Sequence, residues 1–449
     1  MAATTDNRRE IGDLIDSLPL SGLHLYVMLL SALCVVCDGF DLQALALTVP
    51  ALSKAWSLPP PSFSSALSAS LLGMGIGAAF TAPLGDRFGR RTLLSTSLFV
   101  MGLGTLACVT ASSTTQLMVY RFITGIGIGG SMPNAFSLTA DYLPRARRAA
   151  LLTATYCNTA TGAMIGSFSA PWLIQRFGWQ GPFIAGGALP ILVGILLLLT
   201  APESLKFLLH RRPGSAAIAR ILRRIAPGVS AQSVYLQPSA QTAAGTVRDL
   251  FTPRFRTLTL WLWLAFAMNA FILYLLVSWL PTLLTSAGWS NSQALHAAAF
   301  NQIGAIAGGI SLAWLMGRLG HERTLLVSYL LCATVLTTFL IMPSQFWTWG
   351  ILLLLNGLCI GGAQFAIPAL GATYYPAAIL STGTGWASAI ARIGAFLAPL
   401  VGGALLKEGF STDSVLALLA IPALVAALAM YFLGVSTTDT RNKPAADTR

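Results

Sequence analysis

Apolar residues in this chain fall in long unbroken runs, unlike the two-residue alternation of half-buried strands or the one-sided stripes of soluble helices. Bounded by charges or by Pro and Gly clusters, the runs cover about 24–49, 63–84, 92–111, 115–140, 149–173, 181–200, 259–284, 295–316, 323–342, 346–372, 381–406 and 413–434. A membrane-spanning helix takes roughly 20 apolar residues. The pattern therefore predicts an all-α membrane protein with twelve transmembrane helices. One long polar break, 201–256, divides the helices six and six. This gives a segment 1–23, a six-helix half over 24–200, a central loop 201–256, a second six-helix half over 257–434 and a tail 435–449. Inside the break, SAAIARILRRI sets Ile218, Ile221, Leu222 and Ile225 in one apolar stripe beside arginines. That is the pattern of a helix lying in the membrane interface.

Composition sharpens this. Hydrophobic residues make up 55% of the 449 and charged residues 9%, against roughly 25% charged in soluble domains, so an ordinary soluble globule is excluded. The excess of 27 Lys and Arg over 15 Asp and Glu raises a nucleic-acid partner, but the positions answer it. Of the 27, 22 lie in the termini and loops on one side of the predicted spans; Lys54, Arg176 and Lys407 lie on the other, and Arg121 and Arg392 lie within spans. By the positive-inside rule both termini and the central loop are cytoplasmic. The basic surplus is thus a topology signal, and no nucleic-acid partner is expected.

The opening MAATTDNRREIGDLIDSLPL lacks the short apolar core and small residues of a signal peptide, so the first helix is expected to direct insertion. Cys34 and Cys37 form a CxxC in an apolar run, without a second pair or a nearby His, and read as buried rather than metal-binding. His24, His210, His296 and His321 form no ligand cluster, and no metal site is expected.

The two halves repeat weakly. Pro50 matches Pro281 at an offset of 231, which also sets Asp38 against Asn269 and Asp86 against Gly317. GIGG (127–130) matches CIGG (359–362), and GSFSAP (166–171) matches GAFLAP (394–399). Six spans recurring as six mark a transporter built of two parallel halves with a midplane site between them.

APLGDRFGRR (82–91) falls between the second and third spans on the cytoplasmic side. Its order reads as a cytoplasmic gate formed by Gly85, Asp86, Arg87, Gly89 and Arg90, with glycines for a tight turn and charges for a latch. The plainer alternative is a positive loop that only fixes topology. The counterpart LMGRLGHERTLL (315–326) has Gly317 in place of the Asp, so a latch there is expected to be weaker. GIGIGG (125–130) satisfies the dinucleotide pattern GxGxxG but lies inside a span, where small residues serve close helix packing.

The strongest chemistry is the charge inside the spans. Asp38 and Asp41 stand three residues apart on one face of the first span; Arg121 lies in the fourth span, Asp141 at its cytoplasmic end and Arg392 in the middle of the eleventh. Each charge at the bilayer centre costs about 2.5–3.5 kcal/mol, so these groups must pair or face water. A fixed salt-bridge network is one reading. The functional reading is that two neighbouring carboxylates in a low dielectric do not both ionise cheaply, so one holds an exchangeable proton. Asp38, Asp41 and Asp141 are then the proton-coupling candidates. An arginine keeps its charge and grips a carboxylate bidentately, so Arg392, the deeper one, or Arg121 would anchor an anionic organic substrate. Asn269, Tyr274, Gln302, Gln364 and Trp386 are candidates for clamping a ring and its hydroxyls, while Phe271 and Trp279 read equally as packing. No nucleophile, base and orienting group come together, so no enzyme is expected.

The twelve spans, APLGDRFGRR, RFITGIGIGGSMPNA (121–135), PESLKFLL (202–209) and CDGFDLQALALTVPAL (37–52) resemble the major facilitator superfamily, and the last resembles its aromatic acid:proton symporters. The resemblance implies the major facilitator fold, and functional importance for Asp38, Asp41, Arg121, Asp141 and Arg392. It further implies a multi-pass protein of the bacterial inner membrane that imports a hydroxybenzoate-type carboxylate with protons by alternating access. No cofactor is expected, the proton gradient supplying the energy, and the working unit is expected to be a monomer. An exporter or symporter of another organic anion, and a membrane sensor for aromatic acids, are the competing readings. Ala82, Gly317 and Leu380 depart from the family pattern, the last two removing cytoplasmic charge from the C-terminal half.

Overall fold

The computed structural model describes residues 9–211, 215–227, 229, 233–235 and 246–442. The side chains of Arg9, Ala82, Asp86, Ala372, Ala377 and 436–442 lie outside the described set, as do Arg8, Arg212, Lys443 and Arg449. The chain is helical almost throughout. A short β1 (Arg9–Glu10) and α1 (Ile11–Ser17) lead into the long helices α2 (Gly22–Trp56), α3 (Ser64–Phe88), α4 (Arg90–Ala107), α5 (Thr114–Tyr142), α6 (Arg145–Phe177) and α7 (Gly181–Thr200). The central segment holds α8 (Leu205–Arg211), α9 (Ala216–Ile225), β2 (Val234–Tyr235) and α10 (Val247–Leu250). The second half runs through α11 (Arg256–Ser286), α12 (Asn291–Leu319), α13 (His321–Thr338), α14 (Phe346–Asn356), α15 (Gly362–Ala366), α16 (Pro368–Tyr374), α17 (Ala377–Lys407), α18 (Thr412–Leu418) and α19 (Ala420–Asn442). Among the described residues nine helical stretches are long and apolar enough to cross a membrane, one of them joining α6 and α7. Helices α5, with its Arg121 and polar positions, and α13 are not among the nine.

The packing of each half repeats in the other. Helix α2 lies on α6 as α11 lies on α17, α4 on α7 as α13 on α19, and α3 on α5 as α12 on the α14–α15 stretch. The halves meet through α2 with α11, α3 with α17 and α6 with α12. That exchange of partners is what a pseudo-two-fold axis between the halves produces. At one end of this interface Ser68 Oγ donates to Phe396 O at 2.9 Å, and a Cβ on Gly403 would collide with Ser64 Oγ.

GIGIGG is a packing element. Cβ atoms on Gly125 and Gly129 would strike the backbone of α3 at Ser70 and Met74, and one on Gly127 would strike α4 at Met101. The three helices approach too closely for any side chain there.

The central segment departs from the interfacial reading. Ile218, Ile221, Leu222 and Ile225 of α9 are buried in one cluster with Ile11, Leu14 and Ile15 of α1 and Leu205 and Leu208 of α8. Protein covers the stripe, at about 1.5–3 kcal/mol for each side chain buried. β1 and β2 pair in parallel, Arg9 with Val234 and Glu10 with Tyr235, and Asp16 of α1 accepts from the Arg145 backbone N–H at 2.6 Å.

Candidate functional site

The charged residues of the N-terminal half separate into three environments. Asp41 and Arg121 form a buried pair between α2 and α5. Arg121 Nη1 donates to Asp41 Oδ2 at 2.9 Å, Arg121 Nη2 to the Asp41 carbonyl at 3.1 Å, and Thr105 Oγ1 to Asp41 Oδ1 at 2.5 Å. Both side chains are at most 1% exposed. Such a pair offsets its own desolvation only with this kind of added hydrogen bonding. Arg121 is therefore held by Asp41 and does not line the cavity described below, unlike the open anchor its sequence position suggested.

Asp38, one turn earlier on α2, is fully buried and, among the described residues, has no ion-pair partner. Ser131 Oγ of α5 donates to its Oδ2 at 2.6 Å, and its Oδ1 has no hydrogen-bond partner. Asp141 belongs elsewhere. At the C-terminal end of α5 it accepts from Arg90 Nη1 and Ser204 Oγ, and Lys206 Nζ lies 3.3 Å from its other oxygen. The structure thus groups Asp141 with Arg90 of the 82–91 motif, apart from Asp38 and Asp41.

Within that motif the chain turns sharply between α3 and α4. Gly89 has φ +100°, a backbone that L side chains rarely adopt, and a Cβ there would also meet Glu203. Glu203 Oε1 accepts from the Arg91 backbone N–H at 3.0 Å, and the Tyr142 hydroxyl donates to the Glu203 carbonyl at 2.6 Å. Gly85 faces Asn134 so closely that a Cβ would strike its side chain. Arg87 lies over the Phe88 ring, 5.4 Å from its centroid, and takes no part in the Asp141 cluster. In the second half the corresponding turn leaves Gly317 with nothing within 4 Å of a Cβ, while Tyr374 donates to Glu322.

Between the halves lies a cavity of about 160 Å³, small beside the roughly 300–1,000 Å³ of sites for drug-sized ligands. Its walls come from α2, α3, α5 and α6 on one side and α11, α12, α15, α16 and α17 on the other. Tyr274, Gln302, Gln364 and Arg392, all expected from the sequence, line it. Arg392 is half-buried, lies beside the Tyr274 hydroxyl and, among the described residues, has no carboxylate partner. A hydrogen-bonded chain backs one wall and joins the halves. Tyr329 donates to Asn269 Oδ1 at 3.1 Å, Asn269 Nδ2 to Gln364 Oε1 at 2.7 Å, and Gln364 Nε2 to the Tyr156 hydroxyl at 3.3 Å. Asn269 is fully buried and acts through Gln364. The π-helical turn Gly357–Gly361 precedes Gln364 and shifts the helix register there, a device frequent at functional sites.

Trp386 points away: it is 44% exposed and stacks on Trp263 at 6.1 Å. Trp279 is core, its Nε1 donating to the Pro399 carbonyl at 2.9 Å, and Phe271 packs against the same core. Sequence reasoning passed over Gln43, Tyr156 and Thr159 in the cavity wall, and Glu203, Ser204 and Lys206 beside Arg91 and Asp141. The signal for Gln43 was its place two residues after Asp41, and for Glu203 and Lys206 the PESLK run.

A two-fold-repeated helical membrane protein with one small cleft between its halves is the architecture of a secondary transporter. The sequence matches the Major Facilitator Superfamily over residues 31–378, and the chain belongs to that family. It is similar to the 4-hydroxybenzoate transporter PcaK of Pseudomonas aeruginosa, with 35% identity over 95% of this chain and 96% of the relative. It is also similar to the gallate transporter of Pseudomonas putida, at 34% over 95% of each, and to the niacin transporter NiaP of Acinetobacter baylyi, at 32% over 86% and 88%. The fold matches that of the xylose transporter XylE from E. coli, in a partially occluded inward-open form, with TM-score 0.71 over 92% of this chain and 98% of the other at 16% identity. The chain is a multi-pass membrane transport protein and not an enzyme.

Proposed function

We propose that this protein is a proton-coupled symporter importing a single-ring aromatic carboxylate of the hydroxybenzoate type across the bacterial inner membrane by alternating access. In this reading twelve spans surround one cavity per chain, both termini are cytoplasmic, and a monomer suffices without a cofactor. The observation that carries the proposal is Arg392, a guanidinium without a carboxylate partner on the wall of a small, mainly apolar cavity. A carboxylate supplies the missing counter-charge bidentately, and the aromatic and aliphatic walls take the ring. The names of the relatives, covering 4-hydroxybenzoate, gallate and niacin, all describe small ring carboxylates.

Coupling falls to Asp38. Its neighbour Asp41 is neutralised by Arg121, so Asp38 is the buried carboxylate free to change protonation without breaking an ion pair. Asp41 and Arg121 hold α2 against α5, and Asp141 with Arg90 and Lys206 latches the cytoplasmic end. Moving one negative charge inward against 100 mV costs about 2.3 kcal/mol, which one co-transported proton cancels.

The test is uptake of labelled 4-hydroxybenzoate into proteoliposomes under an imposed pH gradient. Accumulation that collapses with a protonophore is expected, with Asp38→Asn abolishing proton-driven accumulation and Arg392→Ala abolishing substrate binding. If no aromatic acid accumulates, or if accumulation survives the protonophore, the proposal is wrong.

A further inference from the structure

The wall of the central cavity contains one polar group that the protein itself leaves unserved. Gln43 on α2 is 2% exposed, lines the cavity, and its Oε1 is buried with no hydrogen-bond partner. A buried carbonyl oxygen without a partner is costly, and every other cavity-lining residue avoids that state. Gln364 uses both ends of its amide, on Asn269 and Tyr156. Thr159 donates to the Tyr156 carbonyl at 2.9 Å and Ser388 to the Thr384 carbonyl at 2.9 Å. Gln302, the remaining amide, has no buried atom left unpartnered.

We infer that the Gln43 carboxamide is the specificity determinant that recognises a ring hydroxyl of the substrate. The cavity then reads the two polar ends of its ligand with two helices from opposite halves: Arg392 of α17 takes the carboxylate and Gln43 of α2 the hydroxyl. The assignment rests on the reading of the cavity as an aromatic-carboxylate site and narrows it to ring-hydroxylated acids. The unpaired atom is an acceptor, so the pairing needs a substrate group that donates, as a phenolic hydroxyl does. An unsubstituted ring leaves the Gln43 oxygen unpaired, and a site built to bond a substrate hydroxyl discriminates against analogues that lack it. The position of Gln43 two residues from Asp41 also sets the hydroxyl contact on the helix that carries the proton-coupling carboxylate.

The experiment compares uptake of 4-hydroxybenzoate, benzoate and 4-methoxybenzoate by the full chain in proteoliposomes, for the wild type and Gln43→Met. Benzoate is smaller than the hydroxylated acid and the methyl ether larger, but neither can donate. Wild-type uptake of 4-hydroxybenzoate is expected to exceed both by about tenfold, whereas a purely steric pocket would rank the three by size. In Gln43→Met the hydroxylated acid should lose that advantage, with benzoate uptake remaining within about twofold of wild type. Equal uptake of all three acids by the wild type, or an unchanged preference in Gln43→Met, overturns the inference while leaving the aromatic-acid reading intact. Uptake of none of the three by the wild type overturns the aromatic-acid reading itself. Should Gln43→Met fail to fold, the ranking of the three acids by the wild type still decides.

Discussion

At the scale of single residues, rarity made the site readable. A charge inside a 20-residue apolar run stands out at once, so Asp38, Asp41, Arg121 and Arg392 could be marked from the sequence. Their assignment to partners could not, because it depends on which helix lies beside which. Asp41 and Arg121 are 80 positions apart and meet only when α2 packs on α5. Gln43 and Tyr156 were missed for the opposite reason: a glutamine or a tyrosine in a span is chemically ordinary until a cavity gives it a direction. The Asp41–Arg121 pair has the contacts of a fixed network, whereas Asp38 has no ion-pair partner among the described residues. For the Asp41–Arg121 pair this makes a definite expectation. Asp41→Asn leaves a buried, uncompensated guanidinium, at a cost of about 3–5 kcal/mol. Adding Arg121→Gln removes that charge and should recover most of the loss. Thermal unfolding of the purified single and double variants in detergent measures this, and a double variant no more stable than Asp41→Asn would contradict it.

At the scale of elements, hydropathy located the helices to within a few residues but misjudged what covers them. The α9 stripe has the composition of a membrane-surface helix, yet α9 packs on α8 and its isoleucines are buried in one cluster with residues of α1 and α8. Periodicity reveals that a face is apolar without revealing what it faces. The GIGIGG segment shows the converse, since a motif with a well-known nucleotide meaning was decided by its location in a span. Helices α3 and α5 touch backbone to backbone at Gly125 and Gly129. Gly129→Leu should therefore separate them, and overpacking of this kind commonly costs about 1–3 kcal/mol or more. The expected readout is a lower yield of monodisperse protein, whereas Gly317→Leu, with nothing within 4 Å of its Cβ, should leave the yield unchanged.

At the scale of the whole molecule, the two-fold exchange of helix partners sets the geometry of transport. The sequence offsets announced two halves. They did not announce which helices cross between them, because the repeat fixes internal symmetry and leaves open how two equal units dock. Alternating access requires the contacts of α3 with α17 to open and close. Ser64 and Gly403 form one such contact, at the end of α3 next to the 57–63 turn. Gly403→Leu, whose Cβ already overlaps Ser64, should therefore hold these helix ends apart and lower uptake in proteoliposomes. Wild-type uptake by a folded Gly403→Leu protein would mean that the cycle does not need these helix ends to close on each other.

The parallel pairing of Arg9 and Glu10 with Val234 and Tyr235, together with the α1–α9 cluster, has a mechanical consequence. It harnesses the middle of the chain to its beginning, so a rocking N-terminal half carries α1, α8 and α9 as passengers. On the other side α10 packs on α17, with Leu250 buried in the core of the second half and its carbonyl accepting from Thr259 Oγ1 at 3.1 Å. The central segment is thus divided between the two halves, and each part moves with the half that buries it.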